Sequence, residues 1–402
     1  MNAILAKYAA ASKHIKLQTM DPELNPGWTK QYDPAGQGLA TGTLVVSVGT
    51  KYKNIGVYDM YNYDYSNYDP TNPNSQPQIT SLSAEQRVTS ALQYVTAEKN
   101  VTLYVLEGQG EQTLDSLGIS SSVSNENYAV KPLSFLTEKA VPAEADMVLV
   151  LGPKSDLTAE DAEKLRSYLA GGGRAVIVFD VLERENALPN FAGILKSFGV
   201  EVRNVMVIEG DQSRIAAQNP FYVIPNLEYH DILSPLRTNN YDIVMVGAQA
   251  IQTLDLKKKS LKIEPLLTSS SDSWGRRDIA NNRGFEKLSG DLPGPFALAV
   301  AITDPATDAS AQDTKLVVVG NVSFLAEAIT SQVPGNGDFF MNSLGWLKGQ
   351  KESISIRAKS LQQFRLSLNT FQSLLFSGIV VILMPLLVLG AGFVIWMRRR
   401  HL

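Results

Sequence analysis

A chain of 402 residues with 36 basic and 40 acidic side chains has a formal net charge of −4, so it offers no cationic field for a nucleic-acid backbone. It has no cysteine, which excludes disulfides, thiolate metal centres and cysteine nucleophiles together. At 44% hydrophobic and 19% charged it has an ordinary globular composition, and it is long enough for two or three domains.

Residues 3–11 read as the end of an amphipathic helix carrying Ile4, Leu5 and Tyr8. A strand is expected over His14–Thr19, then a polar turn from Asp21-Pro22 to Asn25-Pro26. Leu44–Val48 and Ile55–Tyr58 predict two strands, with a hairpin turn at Gly49. This α/β piece, residues 1–60, starts abruptly, as though its first strand were missing, and no apolar signal core opens the chain. Residues 61–78, with Tyr61, Tyr63, Tyr65 and Tyr68 among Asn, Asp and Pro, read as a solvated linker; the alternative is an aromatic platform for sugars or a partner.

From 79 to 350 strand and helix patterns alternate. Ser83 and Gln86 form a capping box before Val88, Ala91, Leu92 and Val95. Thr158 caps a helix to Leu169 that Gly171-Gly172-Gly173 closes, and a helix over Phe191–Phe198 ends at Gly199. Strands are expected at Val101–Leu106, Met147–Leu151, Ala175–Phe179, Val205–Ile208, Ile243–Val246, Phe296–Ile302 and Leu316–Val319, and a last helix at Asp338–Leu347. Near-continuous apolar strands separated by helices predict an α/β fold with a largely parallel, doubly wound sheet.

Residues 351–372 predict a juxtamembrane strand, Ser353–Ile356, and a helix through Leu361, Phe364, Leu368 and Phe371. Residues 373–397 predict a transmembrane helix. Leu374–Met397 holds no charged residue, includes Pro385 and Trp396, and stops on Arg398, Arg399 and Arg400. At about 1.5 Å per residue it crosses a hydrocarbon core of about 30 Å. Arg357, Lys359 and Arg365 on one side balance Arg398–Arg400 on the other. The tail charges abut the span, which favours a cytoplasmic tail, residues 398–402. Taken alone, the chain is anchored by its tail.

Catalytic signatures are sparse. His14, His230 and His401 lack metal-ligand spacing. Gly320-Asn321-Val322-Ser323 misses the spacing of a nucleophile elbow, and Gly152-Pro153-Lys154-Ser155 lacks the long glycine loop of a phosphate cradle. Asp304, Asp308 and Asp313 lack the glycine of a calcium loop. One loop is suggestive: Glu107-Gly108-Gln109-Gly110-Glu111, directly after a predicted strand. Ligands of open parallel sheets sit outside the carboxyl ends of strands. Two glycines let backbone N–H groups approach a ligand that two carboxylates would orient, with Gly152-Pro153 on the same edge. The alternative is a tight strand-to-helix turn with exposed acids. No nucleophile accompanies the loop.

These pieces together resemble the GldG-like auxiliary subunits of ABC-type transport systems, first associated with gliding motility. Asp21-Pro22 with Asn25-Pro26 is similar to the family's D-P-x-x-N-P turn. Leu106 to Glu111 resembles its L-x-G-H-G-E loop, with Gln109 in place of histidine. Gly152-Pro153, Tyr168 to Gly173, Pro189-Asn190, Pro265 to Ser270 through Trp274, Gly294-Pro295-Phe296, Val319-Gly320-Asn321, Asn342 to Leu347, and Pro385 before Arg398–Arg400 continue the likeness in order. The resemblance implies a glutamine-amidotransferase-like α/β domain without the nucleophilic cysteine, a preceding thioredoxin-like domain of which residues 1–60 are part, and an upstream membrane helix. It also implies a non-enzymatic, extracytoplasmic head, no cofactor or metal, and partnership with an ABC-2-type permease, a separate ATPase and the lipid bilayer. A histidine-based activity of the loop loses its histidine here. Two other functional readings stay open: a membrane-tethered envelope hydrolase or transferase using Glu107 and Glu111, and a surface adhesion protein using the tyrosine-rich segment.

Overall fold

The computed structural model describes residues 2–34, 36, 39–64, 75–182, 187–277, 284–308, 311–349, 359–360 and 377–400. They divide into two compact units, residues 1–60 with 84–357, and residues 61–83 with 358–402.

The first unit opens with α1 (Asn2–Ala11) and α2 (Pro26–Tyr32), then an antiparallel hairpin of β1 (Leu44–Val48) and β2 (Lys51–Ile55). Two expectations are corrected here. His14–Thr19 forms no strand: Leu17 is 50% exposed, with no neighbouring strand to pair with. The second hairpin strand lies at Lys51–Ile55 rather than Ile55–Tyr58, because the turn at Gly49 (φ +60°) pairs Val48 with Lys51. Ile55, 3% exposed, is the last paired residue, and Gly56 then donates its N–H to the Asp59 carboxylate at 2.8 Å to start a turn. Tyr8 ties α1 to the later helix Ala84–Thr96 by donating its hydroxyl to the Glu85 carbonyl at 3.0 Å.

The chain passes through β3 (Tyr61–Asp64) and β4 (Gln78–Leu82), which belong to the second unit, and re-enters the first. There α3 (Ala84–Thr96), β5 (Thr102–Leu106), β7 (Met147–Leu151), α5 (Ala159–Ala170), β8 (Arg174–Val178) and α6 (Pro189–Ser197) alternate as expected, and α4 (Ser120–Asn125) and β6 (Ala129–Leu133), which were not expected, lie between β5 and β7. Thr158 caps α5 by accepting from the Asp161 N–H at 3.1 Å. Next come β9 (Val200–Ile208), β10 (Tyr222–Val223), β11 (Asn226–Leu227), α7 (Ser234–Thr238), β12 (Met245–Val246), β13 (Gln249–Thr253), β14 (Lys262–Thr268), β15 (Trp274–Arg276), β16 (Leu292–Pro293), β17 (Ala297–Asp304) and β18 (Thr314–Val319). Then α8 (Glu327–Thr330) and α9 (Pro334–Lys348) close the unit.

These strands build one twelve-stranded sheet, whose main path runs β16-β15-β9-β13-β17-β18-β8-β7-β5-β6, with β14 on β17 and β11 on β14. The five strands β18, β8, β7, β5 and β6 are parallel. From β17 outward the sheet continues antiparallel. Parallel strands need crossover connections; α4 lies between β5 and β6 and α5 between β7 and β8, and helices cover both faces of the sheet. One face gathers Leu103, Val105, Met147, Leu149, Val176 and Val317 under α9, through Phe339, Phe340 and Leu344. The other gathers Tyr104, Leu106, Val148, Val150, Ile177 and Val318 under α5 and α6, through Leu165, Leu169, Phe191 and Ile194. Side chains alternate between faces, so burial on both turns each strand into an unbroken apolar run. Each fully buried Leu, Ile or Val contributes about 1.5–3 kcal/mol relative to exposure. The fold is therefore the expected doubly wound α/β arrangement, extended by an antiparallel half.

In the second unit β4 pairs with β3 and with a short strand β19 (Lys359–Ser360). Tyr61 and Tyr63 lie edge to face, 6.4 Å between centroids. Tyr65 and Tyr68 lie outside the described residues, as do the expected juxtamembrane strand Ser353–Ile356, the helix through Phe371, and Leu374. One helix among the described residues is long and apolar enough to span a membrane: Gly378–Arg400, 23 residues with mean hydropathy 2.7 and no part buried. Its first turns, Gly378–Leu383, are π-helical just before Pro385. Proline has no N–H to donate to the preceding turn, and local widening accommodates that loss. Trp396 lies near its end, with the Arg400 guanidinium 5.3 Å from the Trp396 ring centroid.

Candidate functional site

The parallel order of β5, β7, β8 and β18 brings their carboxyl ends together at one edge. The Glu107 to Glu111 loop leaves β5 there. Glu107 still donates its N–H to the Leu133 carbonyl at 2.9 Å, extending the ladder to β6. Gly108 and Gly110 then take φ of +120° and +77°, which side chains rarely adopt, and the loop folds back over the end of β7. The Gln109 carbonyl accepts from Lys154 N–H at 2.8 Å and Ser155 N–H at 2.9 Å, and Gln112 N–H donates to the Leu151 carbonyl at 2.8 Å. Glu107, Gly108, Gln109, Gly110 and Glu111 thus stand directly beside Gly152 and Pro153, as the parallel-sheet argument requires.

Glu107 points to solvent, whereas Glu111 is half-buried. One Glu111 oxygen accepts the Gln109 N–H at 2.8 Å; the other, and the Gln109 side-chain oxygen, have no partner. Burial pushes the Glu111 carboxyl above its ordinary value, and the N–H groups of Glu111, Gln109 and Gly108 oppose that shift without cancelling it. A carboxyl raised in the folded state contributes stability below its unfolded value, and that contribution is lost as pH rises through the folded value. Glu111→Gln keeps an acceptor for the Gln109 N–H and cannot ionise. Its melting temperature relative to wild type is therefore expected to rise from about pH 4 to about pH 8. A pH-independent difference would remove burial of the charge as the cause.

Two residues outside the expected set complete the edge. Lys154 Nζ lies 2.9 Å from Asp180 Oδ2, and Asp180 Oδ1 also accepts the Val181 N–H at 2.9 Å. Asp180 follows the end of β8, so a rule that inspects every strand's carboxyl end would have flagged it. Lys154 was visible only inside the failed phosphate-loop pattern. The misspaced elbow Gly320-Asn321-Val322-Ser323 has another use. Val322, 3% exposed, lies on Gly152, where an added Cβ would stand 2.8 Å from Val322 Cγ1. Asn321 pins this turn, donating to the Gly247 carbonyl at 2.8 Å and accepting the Ser323 N–H. The centre of the edge is filled by packing, and its rim presents Glu107, Glu111, Lys154 and Asp180. Such a rim can hold hydroxyl, ammonium or peptide groups by hydrogen bonds.

A doubly wound α/β head with a polar, packed carboxyl edge is the class these features define. Residues 100–343 match the family described as an ABC-type uncharacterized transport system. The chain belongs to this family and is an auxiliary component of such a system. Among solved structures, the chain is similar to the N-terminal domain of mmIFT52 at 14% identity and TM-score 0.48, covering 63% of this chain and 99% of that one. It is also similar to a ThuA-like protein from Parabacteroides merdae at 10% identity and TM-score 0.33, covering 68% and 95%. A protein from Thermoplasma acidophilum, described as part of a GMP synthase, follows at 8% identity and TM-score 0.31, covering 63% and 96%. No curated protein matches the chain.

Proposed function

We propose that this chain is a membrane-anchored, non-enzymatic auxiliary subunit of the GldG-like kind, working with an ABC-2-type permease and a separate ATPase. The observation that carries the reading is the family match over residues 100–343, in a chain that also holds an apolar helix of spanning length at Gly378–Arg400. In this reading residues 373–397 are the anchor, Arg398–Arg400 lie in the cytoplasm, and an amidotransferase-like head over 79–350 stands outside it. Residues 1–60 are the partial thioredoxin-like piece and 351–372 the juxtamembrane stretch, while the segment expected as a linker, 61–78, contributes strand residues at Tyr61–Asp64 and Gln78. The Glu107–Glu111 loop with Gly152-Pro153 is the edge that receives a substrate or a partner protein. Val322 packed on Gly152 fills the centre of this edge, which leaves the rim of Glu107, Glu111, Lys154 and Asp180 for binding.

The test is to tag the chain in its native host, extract it in mild detergent and identify what comes with it. A polytopic permease and an ATPase are expected at constant ratio through size exclusion. Recovery of the chain alone, from membranes that contain both, would overturn the reading.

A further inference from the structure

The edge of the main sheet opposite the Glu107 loop has a different chemistry. β17 ends there at Asp304, which pairs in register with Thr314, the first residue of β18. The loop from β13 to β14 lies on this edge. Between Leu254 and Lys262 it carries four lysines against one aspartate. Leu256 is 93% exposed and is followed by Lys257, Lys258 and Lys259. The loop is held in place: Lys258 Nζ and Ser260 Oγ each lie 3.0 Å from the Asp304 carboxylate. Lys257 donates to the Leu254 carbonyl at 3.0 Å. Neither Lys257 nor Lys259 forms an ion pair among the described residues.

An extended leucine inside a lysine run gains nothing from water, and its neighbours are too strongly hydrated for a protein core. The pairing suits a bilayer surface, where lysines meet phosphates and an apolar side chain reaches the acyl boundary. The start of β18 and the end of α9 lie together near this edge. Lys315, next to Thr314, sits 4.6 Å over the ring of Trp346, two residues before α9 ends at Lys348. The spanning-length helix follows in the sequence at Gly378. A tethered head meets the membrane at high effective concentration, so even weak surface attraction is realised.

We infer that the Leu254–Ser260 loop is a contact site for anionic phospholipid headgroups, with Lys257 and Lys259 on phosphates and Leu256 in the acyl boundary. The inference rests on the anchored reading above. Because the chain has no cysteine, Leu256→Cys gives one attachment point for an apolar nitroxide on the full chain. The labelled chain is reconstituted into vesicles of phosphatidylcholine alone or mixed with phosphatidylglycerol. Accessibility to oxygen, which partitions into lipid, is compared with that to a water-soluble nickel chelate.

Oxygen is expected to dominate in the anionic vesicles and nickel in the neutral ones. Lys257→Gln with Lys259→Gln is expected to cut the lipid-contacting population about 25-fold, about 5-fold per lysine. A nitroxide at Glu107→Cys, on the far edge, is expected to stay nickel-accessible throughout. Flotation with the vesicles reports the anchor separately. A chain that floats with the anionic vesicles while its position-256 label stays nickel-accessible overturns the headgroup contact alone. A chain that does not float overturns the anchored reading, and this inference with it.

Discussion

Arg276→Leu is expected to lower the unfolding free energy by about 3–5 kcal/mol, the usual cost of leaving a buried charge without its partner. The Arg276 side chain is 2% exposed and that of Asp291 3%, and their closest approach is 2.9 Å. Nε and a terminal nitrogen both reach the Asp291 carboxylate. The remaining donors satisfy the Gly284 carbonyl at 2.9 Å and the Glu286 carbonyl at 2.5 Å. One guanidinium therefore fastens the 284–291 segment to β15. Removing it leaves a buried carboxylate without its counter-charge and takes a donor from two carbonyls, so Arg276→Leu with Asp291→Leu is expected to be less damaging than the single change. The deficit also has a pH signature. Burial alone would raise the Asp291 carboxyl, but hydrogen bonds from Arg276 and the Leu288 N–H, with the Arg276 charge, hold it below its usual value. A depressed carboxyl contributes stability above its unfolded value and loses it as pH falls through the folded one. The gap between wild type and Arg276→Leu in urea midpoints is thus expected to be widest at neutral pH and to narrow below about pH 4. A gap of constant size would show that lost packing, not the ion pair, sets the cost.

Gly320→Ala is expected to cost about 3 kcal/mol, at the upper end of overpacking effects. A Cβ on Gly320 would stand 2.2 Å from the Gln249 carbonyl oxygen, a backbone atom that no rotamer change can move away. The two residues are already bonded, Gln249 N–H to the Gly320 carbonyl at 3.0 Å, while Gly320 N–H reaches the Leu298 carbonyl at 2.9 Å. Separating them strains β13, β17 and β18 where the parallel and antiparallel halves meet. Gly337→Ala is the informative control. Gly337 lies inside α9 with nothing within 4 Å of its added Cβ, so alanine should raise stability by about 0.5–1 kcal/mol through helix propensity. Thermal denaturation of both variants beside wild type measures the contrast. Equal shifts of the same sign would refute the packing argument.

The parallel half was legible in the sequence because burial on both faces leaves apolar runs that no helix period disguises. Met147–Leu151 is found where expected, and β5, β8 and β18 start or end within a residue or two of their predicted limits. The edge strand β6 was missed because Lys131-Pro132 breaks the pattern. At the sheet's margin proline has a vacant side on which its missing N–H costs nothing. β14 was hidden by Pro265, which it accommodates at an irregularity in its pairing with β17. Local signals carried the Glu107–Glu111 loop, since a strand followed by spaced glycines is readable residue by residue. The Lys154–Asp180 pair was not readable. It joins side chains 26 positions apart whose meeting depends on β7 and β8 being neighbours, a fact of tertiary structure.

That β8 pairs with β18 has a consequence for how the molecule is made. Val178 and Thr314 are 136 positions apart, so β8 waits for its second neighbour until most of the head has been synthesised. At about 5–20 residues per second the delay is on the order of 7–30 seconds. Throughout it, a strand that is apolar from Ala175 to Val178 offers a vacant margin on the nascent chain, open to pairing with any other extended segment. Chaperone attendance at the ribosome or translocon should therefore matter most between the emergence of residue 178 and that of residue 319.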